Sequence, residues 1–533
     1  MDKIKFENYK AFAKGEMELK PLTLLLGANS SGKSSILHLF LMLEQTINYA
    51  ENYSTAFKTN GHSVSMGEDE NLLKDKNHGK TLALEFDINA NQYIKKLKLM
   101  LENMKLRVDI SFLSYLETHF PKQFKKEFVN IEKKNKKRAK DESYLSIHMF
   151  NLQRKILFYG NRWKEGDMSL WAGISTFENL KNTYDAVFEF FTLFETECQK
   201  KVIKASIRYE FNYCESSKKI NVKSCNIFLD DKSLINIITQ QGNTKFESDV
   251  IKIDNSSYLY DFKFDFKGLC LSSTNNTQEN VFIDFVSELF NYAYEQLNEY
   301  FSKRNLRYIG PLRANPQRYY FLDDSNTVQN IDSRNGASLA EILKKNKAVK
   351  EKINFWMSRF GLSVDVKEFK DVIHNIKVSQ NGLLLDIPDV GFGISQVLPI
   401  LVEGMIAPQQ STIIMEQPEI HLHPKMQAEL ADLFIDLTNM ASKEKKGASK
   451  SLIIETHSEY ILKRIRRRMA EGSIDPNQVA IYFVKPRSVD NPDSALLEQA
   501  NIEKDGTIVW PEEFYITELE DELAFFNLKV KKS

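Results

Sequence analysis

Three short apolar runs stand out along the chain: Leu22-Thr-Leu-Leu-Leu26, Ser411-Thr-Ile-Ile-Met415 and Ser451-Leu-Ile-Ile454. None alternates polar with apolar, so each predicts a buried strand. Thr81 to Asp87 does alternate and predicts a half-buried one. Residues 3–6 and 16–26 predict two β segments joined by Asn8 to Gly15, and Ser35 to Leu43 has helix-forming composition. Past residue 90 the character changes. Lys95 to Phe150 is rich in Lys and Leu, and 146–200 has aromatics at helical spacing (Tyr184, Phe188, Phe191, Phe194) that suit a core. Residues 201–270 are β-rich, and Val281 to Tyr300 predicts an amphipathic helix. No heptad pattern persists, so no long coiled coil is expected. Arg307-Tyr-Ile-Gly-Pro-Leu-Arg313 then predicts a short strand ending in a Gly-Pro turn. The expected class is α/β: a mixed sheet built from residues 1–89 and 306–533, carrying a compact α+β insertion at 90–305.

The buried run Leu22–Leu26 leads into Gly27-Ala-Asn-Ser-Ser-Gly-Lys-Ser34, a Gly-x-x-x-x-Gly-Lys-Ser loop followed by the predicted helix. Strand, loop and helix in that order are the context a phosphate-binding loop needs. Gly27 and Gly32 let the backbone curl so that its N–H groups converge on an anion, and the helix N-terminus adds partial positive charge. Gly27, Asn29, Ser30, Ser31, Gly32, Lys33, Ser34 and Ser35 are therefore the expected nucleotide-binding residues. Lys33 is placed for the β- and γ-phosphates of ATP, and Ser34 for Mg²⁺.

Two later stretches carry complementary chemistry. Gly391-Phe-Gly-Ile-Ser-Gln396 opens an apolar helix, which puts Gly393 and Ser395 at a second helix N-terminus. The run 411–415 ends in Glu416-Gln-Pro-Glu419, followed by Ile-His-Leu-His423 and Pro424. Buried strands deliver acids to their C-terminal ends, so Glu416 is the expected Mg²⁺ ligand and Glu419 the residue that orients or deprotonates water. His421 and His423 lack a further ligand cluster and read as structural and dimer-contact residues. The third run ends in Glu455-Thr-His457.

Composition narrows the partners. Lys+Arg and Asp+Glu are equal at 72 each, so no global basic field points to nucleic acid. Two local runs remain, Lys133 to Lys140 and the helix around Arg464 to Arg468. The first is a solvated helix face, a flexible loop or a nucleic-acid contact, and the second a solvated face or a contact for nucleic acid or an acidic partner. Cys198, Cys214, Cys225 and Cys270 form no Cys-x-x-Cys pair and read as reduced thiols. With neither a signal-peptide core nor a membrane-length apolar run, a soluble cytoplasmic protein is expected.

The motifs in this order resemble the heads of the RecF, SMC and OLD group of ABC-type ATPases. There an early strand and an element matching Asn8-Tyr-Lys-Ala-Phe12 precede a loop with Asn at the place of Asn29. The resemblance implies that Gly393 and Ser395 meet the γ-phosphate held by a second protomer, making the active unit a head-to-head dimer or higher oligomer. It also implies that His457 senses that phosphate. Gln45 is a positional candidate for the glutamine that such heads place near Mg²⁺. Gly-Ile-Ser-Gln departs from the signature of transporter subunits and weighs against membrane transport. The closing Asp505 to Phe514 resembles the DUF3696-type ending found in ATPase subunits of Septu-like and retron-associated anti-phage modules. The stretch after His457 carries no Asp-x-Asp cluster, so no nuclease activity is expected of the chain itself. A separate nuclease subunit is expected instead, of HNH type if the module is Septu-like. The alternatives are a RecF-like DNA-repair ATPase and an ATP-locked scaffold.

Overall fold

The computed structural model describes residues 1–48, 55–123, 125, 176–240, 243–251, 263–273, 281–313, 315–321, 336–370, 373–380, 382–443, 450–489, 491–503 and 505–509. The chain divides into two compact units, one of residues 50–57 and 83–297, the other of residues 2–49, 58–82 and 298–533. The basic run Lys133 to Lys140 lies outside the described residues.

In the second unit, β1 (Lys3–Tyr9) and β2 (Phe12–Glu18) form an antiparallel hairpin. Its turn takes Lys10 into the left-handed region, φ 47°. β3 (Leu22–Gly27) follows as a separate strand, then α1 (Lys33–Ile47). The β segment expected over 16–26 is thus two strands. The break falls at Lys20-Pro21, where proline offers no N–H and the Thr23 hydroxyl accepts from the Lys20 amide at 3.1 Å.

The first unit contains β4 (Leu82–Ile88), α2 (Ala90–His119) and α3 (Phe177–Gln199). It continues with β5 (Ala205–Cys214), β6 (Lys219–Leu229), β7 (Lys232–Gln240) and β8 (Asn243–Glu247), hydrogen-bonded in the order β4-β5-β6-β7-β8. A small ladder of β9 (Phe264–Lys267) and β10 (Cys270–Ser273) precedes α4 (Val281–Phe301). Of the aromatics expected at helical spacing, Phe191 and Phe194 are core, joined by Phe190, while Tyr184 and Phe188 are half-buried. Phe190, Phe191 and Phe194 of α3 pack on Phe282 and Phe285 of α4 with ring centroids 5.1–6.1 Å apart. No long coiled coil occurs among the described residues, and none of their helices is long and apolar enough to cross a membrane.

The rest of the second unit begins with β11 (Leu306–Ile309), β12 (Tyr320–Phe321), α5 (Gly336–Lys345) and α6 (Lys347–Ser358). β13 (Leu362–Lys370), β14 (Ile373–Gln380) and β15 (Leu383–Asp386) form an antiparallel ladder, and α7 (Phe392–Ile406) follows. Then come β16 (Thr412–Glu416), α8 (Pro424–Lys443), β17 (Ser451–Glu455), α9 (Glu459–Ala470), β18 (Val479–Lys485) and β19 (Leu496–Gln499). A two-stranded ladder of β20 (Asn501–Ile502) and β21 (Ile508–Val509) ends the described chain.

The central sheet has the order β11-β16-β17-β3-β18-β19. Its first five strands are parallel, and β19 runs antiparallel on the edge. Parallel strands need covering on both faces, which is why their sequences read as continuous apolar runs. Leu24, Leu26, Met415, Ile454 and Ile481 join Phe434 of α8 and Ile465 of α9 in one core, while Leu25, Ile414 and Ile453 are equally buried. The decisive feature for the site is register: Glu416 stands opposite Glu455, and Glu455 opposite Leu25, two residues before the phosphate loop. Two acids and the loop therefore share the C-terminal end of three adjacent parallel strands.

Candidate phosphate-binding and hydrolytic site

The loop after β3 takes three left-handed residues, Gly27 (φ 143°), Ser30 (φ 61°) and Gly32 (φ 113°). A Cβ on Gly27 would stand 2.3 Å from the Val484 carbonyl oxygen, so only glycine fits there. The crest Ala28–Ser30 is exposed, whereas Ser31 and Lys33 are buried beneath it. The Lys33 ammonium donates to the Gly27 and Ala28 carbonyls at 3.0 and 2.7 Å, and the Ser31 hydroxyl has no hydrogen-bond partner. Burial pulls the Lys33 pKa down, opposed by the charge of Glu455. An ammonium held by two carbonyls beside an unsatisfied hydroxyl, under a loop of curled backbone, is a site built for an anion. Ser35 gives its carbonyl to the Tyr9 hydroxyl at 2.9 Å, which anchors α1 to the hairpin.

Ser34 pairs with an acid to which the sequence alone gives no role. Its hydroxyl donates to both carboxylate oxygens of Glu455, at 3.0 and 3.2 Å, and Glu416 is not its partner. Glu416 instead accepts from the Tyr308 hydroxyl at 2.8 Å, with His38 Nε2 3.7 Å away. Glu455 was visible as the polar residue ending an apolar run, the same signal that drew attention to Glu416. Tyr308 and His38 carried no sequence signal, because β11 and α1 meet β16 only in the fold.

Glu419 lies in the turn beyond β16. One of its oxygens accepts the His457 backbone N–H at 2.7 Å, and the other, Oε2, is buried without a partner. Burial pushes the Glu419 carboxyl up, opposed by the His457 amide and the Arg313 guanidinium. Burial likewise raises Glu455, and it raises Glu416 to about 7. Three desolvated acids within one site favour a cation beside them. The oxygen donors Ser34, Glu416 and Glu455 suit Mg²⁺, which takes one or two carboxylates and completes its shell with phosphate and water. Among the described residues no group of three His, Cys, Asp or Glu side chains is spaced to hold a metal by itself. The phosphate loop would have to share the ion with its nucleotide.

The remaining expected residues fall into place unequally. His457 is exposed at the residue level, and partial desolvation of its imidazole together with the charge of Lys33 lowers its pKa. Gly393 lies one residue inside α7, and a Cβ there would approach the His421 carbonyl to 3.0 Å. Ser395 is 4 % exposed, with Gln396 Nε2 3.4 Å from its hydroxyl, so in this protomer it is not presented to an opposing surface. Gln45 is no ligand candidate. Its amide is buried and spans the Lys58 carbonyl (2.5 Å) and the Val64 N–H (3.2 Å), a tie within the 58–64 segment. His423 Nδ1 accepts the Lys425 N–H at 3.3 Å where α8 begins.

Four basic side chains of α9 are paired with carboxylates. Arg464 and Arg468 both pair with Asp432 of α8, Arg467 pairs with Glu471, and Lys463 pairs with Glu459. Its apolar stripe Ile461, Leu462, Ile465 and Met469 faces the core. A nucleic-acid phosphate would have to compete with those carboxylates.

The family model described as an AAA ATPase domain matches residues 1–462. Among solved structures, the SMC head domain from Thermotoga maritima is similar at 9% identity and a TM-score of 0.34, covering 94% of this chain and 99% of that one. The Smc head domain with a coiled coil and joint from Pyrococcus yayanosii is similar at 10% identity and 0.32, covering 95% and 97%. None of the curated proteins matches the chain.

Proposed function

The chain belongs to the AAA ATPase domain family, and from that premise we propose that it is a Mg²⁺-dependent ATPase acting as the regulatory subunit of an anti-phage defence complex. The observation that carries the hydrolytic part is the convergence, at the C-terminal ends of adjacent parallel strands, of Lys33, Ser34, Glu416, Glu455 and the unpartnered Oε2 of Glu419. Mg²⁺, when bound, supplies charge neutralisation across the β- and γ-phosphates.

The chain's own residues do the rest. The loop amides and Lys33 hold the phosphates, and Ser34, Glu416 and Glu455 offer the oxygens for the ion. Glu419 is fixed through one oxygen by the His457 amide, which leaves the other to orient a water and draw its proton. The shared bond also links Glu419 to the switch segment, so His457 and the hydrolytic acid move together. Head-to-head dimerisation would add the N-terminus of α7 with its Gly393 from a second protomer, and Ser395, buried in this protomer, would have to be uncovered to join it.

The regulatory reading is supported by the resemblance of the motif set and of the closing segment to ATPase subunits of defence modules, in which a separate nuclease does the cutting. Lys33→Ala should abolish nucleotide binding, and Glu419→Gln should bind ATP but not turn it over. Mass measurement of the complex purified with its neighbouring genes, with and without ATP, tests the partner. A nuclease in the assembly supports the proposal. A lone dimer that grips DNA favours the repair ATPase, and an assembly indifferent to Glu419→Gln favours the scaffold.

A further inference from the structure

One buried charge at the site takes no part in the steps above. Arg313 follows β11 through a Gly-Pro turn and is 6 % exposed. Its guanidinium reaches three backbone carbonyls: Gln396 near the start of α7 at 3.5 Å, and Glu416 and Gln417 at 3.4 Å each. Its Nε has no partner. Each bond is long, so what the fork contributes is direction more than strength.

The direction matters because of the backbone it grips. Gln417 has φ 44°, a left-handed conformation that a non-glycine residue adopts only when its surroundings hold it there. Its N–H donates to the Glu455 carbonyl at 2.8 Å and its carbonyl accepts from Arg313. The peptide between the two acids is thus clamped from both sides, by β17 through Glu455 and by Arg313. Two residues further on stands Glu419, whose charge offsets the burial that pulls the Arg313 guanidinium down to about 10. The same guanidinium touches α7, the helix whose N-terminus would face a second protomer.

We infer that Arg313 is a positioning residue for hydrolysis: it braces the left-handed peptide at Gln417 against α7, sets where Glu419 stands, and makes that position respond to α7. The inference rests on the reading of Glu419 as the residue that orients water. A lysine would keep the charge but could not span three carbonyls, so charge and geometry separate experimentally.

The full chain is assayed as wild type, Arg313→Gln, Arg313→Lys, Glu419→Gln and Arg313→Gln with Gln417→Gly. A fluorescent ATP analogue with Mg²⁺ gives Kd, and phosphate release gives kcat. Arg313→Gln should bind nucleotide within threefold of wild type while kcat falls at least tenfold, and Arg313→Lys should recover less than half of that loss. Adding Gln417→Gly should raise kcat of Arg313→Gln at least threefold, because glycine holds the left-handed peptide without a brace. If Arg313→Gln does not fold, Arg313→Lys with and without Gln417→Gly carries the same contrast, and equal kcat values overturn the inference. It is also overturned by full recovery in Arg313→Lys, by a kcat loss matched by a loss of binding, or by Arg313→Gln turnover within twofold of an active wild type that Glu419→Gln silences. A wild-type chain that does not hydrolyse ATP removes this inference and the proposed activity together.

Discussion

Replacing Glu416 by glutamine should stabilise the cation-free protein while removing its response to Mg²⁺ and ATP. The Glu416 side chain is 8% exposed, and burial raises its pKa from 4.5 to about 7. The folded state therefore holds the proton to about pH 7, whereas the unfolded chain releases it near 4.5. The resulting penalty on folding is absent below pH 4.5, grows between 4.5 and 7, and is complete above 7. At about 1.4 kcal/mol per pH unit the penalty is roughly 3 kcal/mol. Glutamine never ionises, and its amide oxygen still accepts from Tyr308. At roughly 2 °C per kcal/mol for a unit of this size, Glu416→Gln should unfold roughly 6 °C above wild type at pH 8 in chelator, and close to wild type near pH 5. With Mg²⁺ and ATP the order should narrow or invert, because only wild type gains the linkage stabilisation of a bound ion. Thermal unfolding at both pH values, with and without Mg²⁺–ATP, reads all of this. Equal or lower stability of the variant at pH 8 in chelator would refute the desolvated-acid argument.

Other outcomes follow from the same geometry. Gly27→Ala forces a Cβ to 2.3 Å from the Val484 carbonyl at φ 143°, and should cost at least ~2 kcal/mol and abolish nucleotide binding, checked by unfolding and by titration with a fluorescent nucleotide. Ser458 caps α9 by accepting the Ile461 N–H at 3.1 Å, so Ser458→Ala should lower stability by about 1 kcal/mol in denaturant unfolding. Arg468→Ala leaves the buried Asp432 with one partner fewer, and should cost about 1–3 kcal/mol while changing low-salt DNA affinity less than twofold. A tenfold loss of DNA affinity would restore the nucleic-acid reading of that helix.

The phosphate loop could be located from sequence because its requirements are local. Glycines at two positions and a strand before the loop leave few other uses for the segment. The strands β3, β16 and β17 were equally legible, since burial on both faces writes itself as an uninterrupted apolar run. The break between β2 and β3 was missed because one proline and a side-chain hydrogen bond decide it, and an apolar tally passes over both. Arg464 and Arg468 read as part of a solvated face or a nucleic-acid contact because their partner Asp432 lies on another helix.

By itself, then, the sequence pointed to the strand–loop–helix at Gly27–Ser34, the α/β class and the presence of acids at strand ends, all properties set by residues within a few positions of one another. The fold alone decided which acid faces Ser34, which amide holds Glu419, and that Tyr308 and Arg313 belong to the site. The physical reason is the parallel sheet. Its neighbours β16, β17 and β3 come from opposite ends of the chain, and register across such strands is settled by packing in three dimensions, which no spacing along the sequence records.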